Sequence, residues 1–145
     1  MKKIIIAIIS AMILMPTMAD AQIQVKKQPK IETIKSLRMG YVDLCKSEEI
    51  YFLSLRSDNQ FDDPYFILLG EGKEAAIESI NSLIEVASTI TKEDSFEFND
   101  GRKDFYILRG MFKGEVWFKA DGYAGYGKTS TMELSNLLKA LTKSK

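Results

Sequence analysis

The chain has 145 residues, of which 46% are hydrophobic and 28% are charged, and these fractions are typical of one globular domain. Its 20 Lys and Arg residues balance 20 Asp and Glu residues, which excludes general electrostatic binding of nucleic acid or of an anionic membrane and leaves only local patches open. It has no histidine, which excludes Ser-His and Cys-His nucleophiles and every imidazole-bound metal site.

Residues 1–21 have the layout of a bacterial secretory signal peptide. A basic start precedes the apolar run 4–15, and Ala19-Asp20-Ala21 supplies small residues before a cleavage point. The run has twelve residues, fewer than the roughly 20 that a membrane-spanning helix needs. No cysteine lies near the cleavage point to accept a lipid. We therefore expect an exported protein, periplasmic or extracellular, without a retained membrane span.

Cleavage after residue 21 leaves 124 residues with 18 basic and 19 acidic side chains, a formal net charge of −1. Residues 22–33 are polar and lack a sustained hydrophobic period, so we expect an N-terminal leader and then a single globular domain over residues 34–145. Cys45 is the only cysteine, which excludes an internal disulfide. Because no histidine can activate it, we interpret Cys45 as a small apolar residue packed near a strand end rather than as a nucleophile or an intermolecular bridge.

The first half of the domain has the pattern of strands followed by a helix. Residues 41–45 and 50–55 carry strand-like alternation on either side of a short polar link, which predicts a hairpin. Residues 65–69 follow a loop at 57–64 and are apolar on both faces, so we expect a central, well-covered strand. Apolar residues then recur at helical spacing from Ala76 to Ala87, which predicts an amphipathic helix of about four turns.

The second half repeats this order. A hairpin over residues 96–109 turns at Asn99-Asp100-Gly101, because Asp-Gly tolerates the positive φ angles of a tight turn. Residues 115–121 alternate apolar and polar side chains as a further strand. Ser130 and Glu133 then form a capping box at the start of a second helix, whose apolar stripe consists of leucines.

The order of elements predicts the fold class. Strands, helix, strands and helix indicate an α+β fold in two layers, with a predominantly antiparallel sheet and two helices packed on one face. Each half places hairpin strands before a glycine-lysine turn and a helix. This similarity suggests a weak internal duplication, although the residues of the two halves do not align.

The stretch from Gly122 to Thr129 matches the phosphate-binding pattern G-x-x-x-x-G-K-[ST], in which Lys128 would neutralise a phosphate and Thr129 would hold magnesium. We judge the match a false positive. Only sixteen residues follow Thr129, and one helix uses them, so no later strand can supply a metal-binding aspartate. Nucleoside triphosphates are scarce outside the cytoplasm, and Gly70-Glu71-Gly72-Lys73 makes the same strand-to-helix turn without the motif. We therefore expect no cofactor.

Two other kinds of site depend on carboxylates. The loop from Asp58 to Asp63 has three aspartates, but its spacing matches no calcium loop, so we expect a solvated turn and no metal site. Paired carboxylates hydrolyse glycosides without histidine, and the sequence gives no separation between any pair. No catalytic residue is therefore assigned, and a small carboxylate-dependent hydrolase stays an alternative.

The aromatic residues give the more specific signal. If Val116 and Phe118 face the helices, then Glu115, Trp117 and Lys119 lie together on the opposite face of the sheet. Tyr106 on the preceding strand would point the same way. Exposed aromatic side chains among charges commonly form contact sites, so these are the candidate ligand or partner contacts: Glu115, Trp117, Lys119 and Tyr106. A face covered by the leader or by a second copy, or a reversed assignment of faces, remains open.

We expect a small exported binding or interaction module of the bacterial envelope that acts without catalysis through a sheet face or its loops. Its partner would be a protein or another envelope component, and not nucleic acid. A third interpretation is a structural subunit that pairs with its neighbours through an exposed edge strand. The sequence leaves a homo-oligomer open.

Overall fold

The structure, a computed structural model, describes residues 28–144. The predicted signal peptide and residues 22–27 of the predicted leader lie outside the described residues. The α+β fold class is confirmed: the described chain forms two antiparallel four-stranded sheets and two helices. No helix within residues 28–144 is long and apolar enough to cross a membrane.

Sheet A contains the first four strands in the order β1-β2-β3-β4, each antiparallel to its neighbour. They are β1 (Ile31–Leu37), β2 (Val42–Ser47), β3 (Ile50–Leu55) and β4 (Tyr65–Glu71). The predicted hairpin of residues 41–55 is β2 and β3, in which Val42 pairs with Leu55. β1 begins three residues before the predicted start of the domain, because its backbone pairs with β2 although its side chains are mostly exposed.

Sheet B contains the remaining strands in the order β5-β6-β7-β8, again antiparallel. They are β5 (Ser95–Asn99), β6 (Asp104–Arg109), β7 (Glu115–Lys119) and β8 (Gly127–Ser130). The turn predicted at Asn99-Asp100-Gly101 joins β5 to β6, and Gly101 adopts the positive φ of 100° that such a turn requires. β8 was not predicted, since most of it lies within the stretch that matches the phosphate-binding pattern.

The two helices pack on each other and on the inner faces of the sheets. They are α1 (Lys73–Thr89), which follows sheet A, and α2 (Thr131–Lys143), which follows sheet B. The Ser130 hydroxyl accepts a hydrogen bond from the Glu133 N–H at 3.3 Å, so the predicted N-cap of α2 is confirmed. The core lies between the helices and the sheets, and its fully buried side chains include Leu44, Leu53, Tyr65, Ile80, Phe105, Phe118, Leu134, Leu137 and Leu141.

β4 is not the central strand that its apolar sequence predicted, because it lies at the edge of sheet A. α1 covers one of its faces, and the β5–β6 turn lies beside its free edge. The N–H of Leu68 donates a hydrogen bond to Asp100 Oδ2 at 2.9 Å. The carbonyl of Phe66 accepts one from the Arg102 guanidinium at 2.7 Å. Side chains from sheet B therefore replace a neighbouring strand at this edge.

The Asp100 carboxylate is fully buried and is bonded on both oxygens. Besides Leu68, the N–H groups of Arg102 and Lys103 donate to it at 2.9 and 3.1 Å, and the Arg102 guanidinium lies 3.2 Å away. Burial by itself would raise the pKa of this carboxyl, but these N–H groups and the guanidinium lower the pKa below its usual value. Ionised Asp100 thus joins the β5–β6 turn to the edge of sheet A.

We predict that Asp100→Asn destabilises the protein by about 2 kcal/mol at neutral pH, because an amide nitrogen cannot accept the N–H bonds that the lost oxygen accepted. The pKa of Asp100 is lowered on folding, so its contribution is present above the unfolded pKa of about 3.9 and is lost as the pH falls through the folded pKa. Urea unfolding of both proteins at neutral and acidic pH should show the difference shrinking below about pH 4. A pH-independent difference would contradict this role.

Candidate functional site

A second junction between the sheets joins the β3–β4 loop to the β7–β8 loop. Asp62 accepts hydrogen bonds from the N–H groups of Ala124 and Gly125 at 3.0 and 2.7 Å. Asp58 accepts one from the N–H of Tyr126 at 2.7 Å, and its own N–H donates to the Tyr126 carbonyl. We call these five residues the loop junction. Three successive N–H groups that point the same way are a natural anion site, and here two carboxylates of the chain occupy it.

Gly125 allows this close approach. A Cβ atom added to it would lie 2.6 Å from the N–H nitrogen of Asn59 and 2.6 Å from the hydroxyl of Ser57, closer than side-chain carbons approach such atoms. A Cβ atom added to the next glycine, Gly127, would likewise lie only 2.9 Å from the ring of Tyr65. The Tyr65 hydroxyl donates a hydrogen bond to the Gly125 carbonyl at 2.6 Å. These glycines are therefore explained by packing between the two loops.

The stretch from Gly122 to Thr129, which matches the phosphate-binding pattern, has a different architecture from a phosphate-binding loop. Gly122, the first glycine of the pattern, lies in the turn after β7 with a φ of 88°, a conformation that favours glycine whether or not a ligand is bound. The last three residues of the pattern, Gly127-Lys128-Thr129, belong to β8, an antiparallel strand paired with β7. The stretch therefore leads into an edge strand of a sheet and does not wrap the start of a helix.

The two side chains of the pattern that would bind a nucleotide and magnesium are also placed differently. Thr129 is buried opposite Val116, so its hydroxyl faces the core and not a loop. The Lys128 ammonium lies 3.0 Å from Asp58. The contact with Asp58 explains Lys128 without a phosphate, whereas the buried Thr129 hydroxyl has no hydrogen-bond partner among the described residues.

The lowered pKa values of Asp58 and Asp62 keep both carboxyls ionised, as hydrogen-bond acceptors require. Hydrogen bonds from the N–H groups of Ala124 and Gly125 lower the pKa of Asp62. Partial burial opposes the shift at Asp58, but the N–H of Tyr126 and the ammonium of Lys128 also lower the pKa there. A general acid of a glycosidase needs a raised pKa, so this pair is suited to joining loops and not to proton donation.

The predicted contact residues lie on the face of sheet B that points away from the helices, called here the outer face. Val116 and Phe118 are buried in the core, and Glu115, Trp117 and Lys119 between and beside them are half-buried. Tyr106 pairs with Lys119 across β6 and β7, and its side chain is 39% exposed. The four residues named from the sequence are therefore brought together on one surface.

Two residues that sequence reasoning missed complete the outer face. The Lys128 ammonium lies 4.4 Å from the centre of the Trp117 ring, and the Tyr126 ring lies 5.2 Å from it. The Trp117 indole N–H donates a hydrogen bond to the Glu115 carboxylate. Lys119 donates to the Tyr123 carbonyl, and its ammonium lies 5.2 Å from the centre of the Tyr126 ring. Only the cross-strand register of β8, which the sequence did not reveal, places Lys128 opposite Trp117.

This surface is a preorganised row of cationic and aromatic side chains. The Trp117 and Tyr126 rings each have an ammonium group against them, and cation–π contacts hold both partners in fixed positions. A shallow depression adjoins the row, lined by residues 58–61 and 124–126. Phe61 projects from its rim with 87% of its surface exposed. The arrangement can contact a partner with little loss of side-chain entropy.

Three further features bear on possible chemistry. Cys45 lies in β2 and is buried, and burial raises the pKa of its thiol, which keeps the sulfur protonated. Within residues 28–144, no three Cys, Asp or Glu side chains are grouped so as to hold a metal ion. An apolar cavity of about 580 Å³ lies between β4, α1 and β5, and its lining includes Leu69, Leu83 and Phe98.

We predict that Asp62→Ala loosens the loop junction, because the N–H groups of Ala124 and Gly125 then lose their acceptor. Amide hydrogen exchange at these two positions should accelerate at least about tenfold, as expected when local opening becomes easier. Asp63→Ala is the matched control, since Asp63 is an exposed neighbour in the same loop. Equal acceleration in both variants would show that Asp62 does not hold the loops together.

Comparison with known proteins adds no assignment. No protein-family model, no curated protein and no solved structure matches this chain. The contacts and charges of the described residues are therefore the basis for any inference about function.

Proposed function

We propose that the protein is a small exported binding module of the bacterial envelope. It contacts a protein or another envelope component through the outer face of sheet B, and it performs no catalysis. The observation that carries this proposal is the preorganised row formed by Tyr106, Lys119, Tyr126, Trp117 and Lys128. Tryptophan and tyrosine dominate the energetics of protein interfaces, and preorganisation lowers the entropic cost of binding.

The position of the row supports the same interpretation. Loop contacts fix both of its lysines, since Lys128 is paired with Asp58 and Lys119 is bonded to the Tyr123 carbonyl. The core does not require these side chains, because it consists of residues on the opposite face of the sheet such as Phe105 and Phe118. A cluster of aromatic side chains on the solvent side of a sheet is typical of a contact site.

Affinity capture from envelope extract tests the contact surface. We predict that Trp117→Ala and Tyr106→Ala each reduce recovery of the partner at least about tenfold, because each removes an aromatic contact from the row. Phe66→Ala is the matched control for Tyr106→Ala, since these side chains are 40% and 39% exposed and lie on different sheets. Light scattering of each protein alone reports whether the captured partner is a second copy.

Equal recovery by the wild type and both variants would remove the outer face from the proposal. Recovery that falls in Trp117→Ala alone, together with a lower melting temperature, would indicate a structural role for that residue. Tyr106→Ala separates the two cases, because its side chain is partly exposed and lies outside the core cluster.

Export is tested separately. We predict that the protein expressed with its full sequence is recovered outside the cytoplasm and begins at Gln22, since Ala19 and Ala21 supply the small residues of a cleavage site. Cell fractionation and N-terminal sequencing measure both points. Replacing Ala21 with a large residue should leave the uncleaved chain on the membrane fraction, whereas unprocessed wild type in the cytoplasm would contradict export.

A further inference from the structure

Four exposed apolar side chains lie on two turns and at the start of α2, none of them among the residues of the outer face. Met39 is 97% exposed, Met132 is 74% exposed, and Met111 and Phe112 are 70% and 69% exposed. We call these four residues the apolar rim. Met39 lies in the turn between β1 and β2, Met111 and Phe112 lie in the turn between β6 and β7, and Met132 lies in the first turn of α2.

Contacts between these three segments hold the rim together. The Arg38 guanidinium is 2.5 Å from the Glu133 carboxylate and donates a second hydrogen bond to the Lys128 carbonyl at 2.8 Å. The N–H of Thr131 donates to the Gly114 carbonyl at 2.8 Å. The three segments that carry these four side chains therefore meet near the start of α2, although they are far apart in sequence.

The backbone at Met39 is strained. Arg38 and Met39 adopt positive φ angles of 50° and 54°, which non-glycine residues rarely do, before Gly40 at 91°. The bonds from Arg38 to Glu133 and to the Lys128 carbonyl hold this conformation, and it projects Met39 outward. Strain of this kind persists where surrounding contacts enforce it and is concentrated at functional sites.

The charges around the rim are mainly positive. Within two positions of any rim residue the charged side chains are Arg38, Arg109, Lys113 and Glu133. Glu133 is paired with Arg38. The Glu115 carboxylate lies against Gly110, next to Met111, and accepts a hydrogen bond from the Trp117 indole, so Arg38, Arg109 and Lys113 outnumber the two carboxylates near the rim. A further cation, Arg56, lies 4.9 Å from the ring of Tyr41, next to the β1–β2 turn. The surroundings of the apolar rim are therefore cationic, although the charges of the whole chain balance.

We propose that the apolar rim docks on the surface of a bilayer that contains anionic lipids. Projecting side chains on turns enter the boundary between headgroups and acyl chains without needing a shaped pocket, and neighbouring Lys and Arg side chains bind the headgroups. Methionine is flexible and adapts to such a fluid environment. The rim residues are distinct from those of the outer face, so this proposal can hold or fail independently of the proposed function.

A second copy of the chain fits the rim less well. In a symmetric dimer the same patch lies on both sides of the interface, which would bring Lys113 and Arg109 near their own copies. The two cavities described above are lined by other residues, so neither supplies a concave receptor for the rim. The cationic, convex rim matches an anionic interface instead.

Vesicle flotation tests the proposal with residues 22–145, which contain every strand and helix described. We expect binding to vesicles of phosphatidylglycerol and phosphatidylcholine, and at least about tenfold weaker binding to phosphatidylcholine alone, since each basic residue near the surface contributes about fivefold. Met39→Ser and Phe112→Ser should each weaken binding by about tenfold, because each removes one apolar side chain from the interface.

Ile31→Ser is the matched control, since Ile31 is 62% exposed and lies at the opposite end of β1 from Arg38. It should bind vesicles as the wild type does. Absence of binding to anionic vesicles, or equal loss in Ile31→Ser, would overturn the proposal. So would a dimer in light scattering that becomes monomeric in Phe112→Ser, because the rim would then be an interface between copies. Circular dichroism of each variant checks that the fold is retained, as expected for substitutions of exposed side chains.

Discussion

The structure depends on hydrogen bonds between aspartate carboxylates of one half and backbone N–H groups of the other. Sheets A and B share an isolated bridge between Ser57 and Gly127 and no continuous ladder among the described residues. Asp100 joins them at the edge of β4, and Asp58 and Asp62 join them at the β7–β8 loop. Charge-assisted bonds of this kind are about twice as strong as neutral ones. Two helix-covered sheets thereby become one body with a shared core.

Side-chain hydrogen bonds also cover parts of two strand edges and oppose the pairing of a further strand there. Arg102 and Asp100 occupy backbone groups of β4, and Arg38 occupies the Lys128 carbonyl on β8, the last strand of sheet B. Charged side chains that bind an edge strand act against edge-to-edge association. An assembly built on edge pairing would have to displace these contacts at β4 and β8, whereas β1 and β5, the other two edge strands, carry mostly exposed side chains.

Short-range sequence patterns predicted the elements that form through interactions between residues close in sequence. The helical spacing from Ala76 to Ala87 predicted α1, and the capping box at Ser130 predicted the start of α2. Alternation placed Trp117 away from the core. The apolar composition of β4 predicts a buried strand, and a buried strand is usually central in its sheet. β4 lies at an edge instead, where α1 and the β5–β6 turn bury it. Pairing into β8 was not predictable, because it depends on contacts between residues far apart in sequence, such as Asp62 with Gly125.

Lys128 links the three surfaces and explains why β8 is central to the proposed function. Its ammonium pairs with Asp58 at the loop junction and lies over the Trp117 ring on the outer face, while its carbonyl accepts a bond from Arg38 beside the apolar rim. A pattern search reads this lysine as a phosphate ligand, since the search sees only neighbours in sequence. In the fold its charge is matched by Asp58, its ammonium lies over an aromatic ring, and its backbone lies in an edge strand. A residue used in all three ways therefore ties the loop junction, the outer face and the apolar rim to one strand, β8.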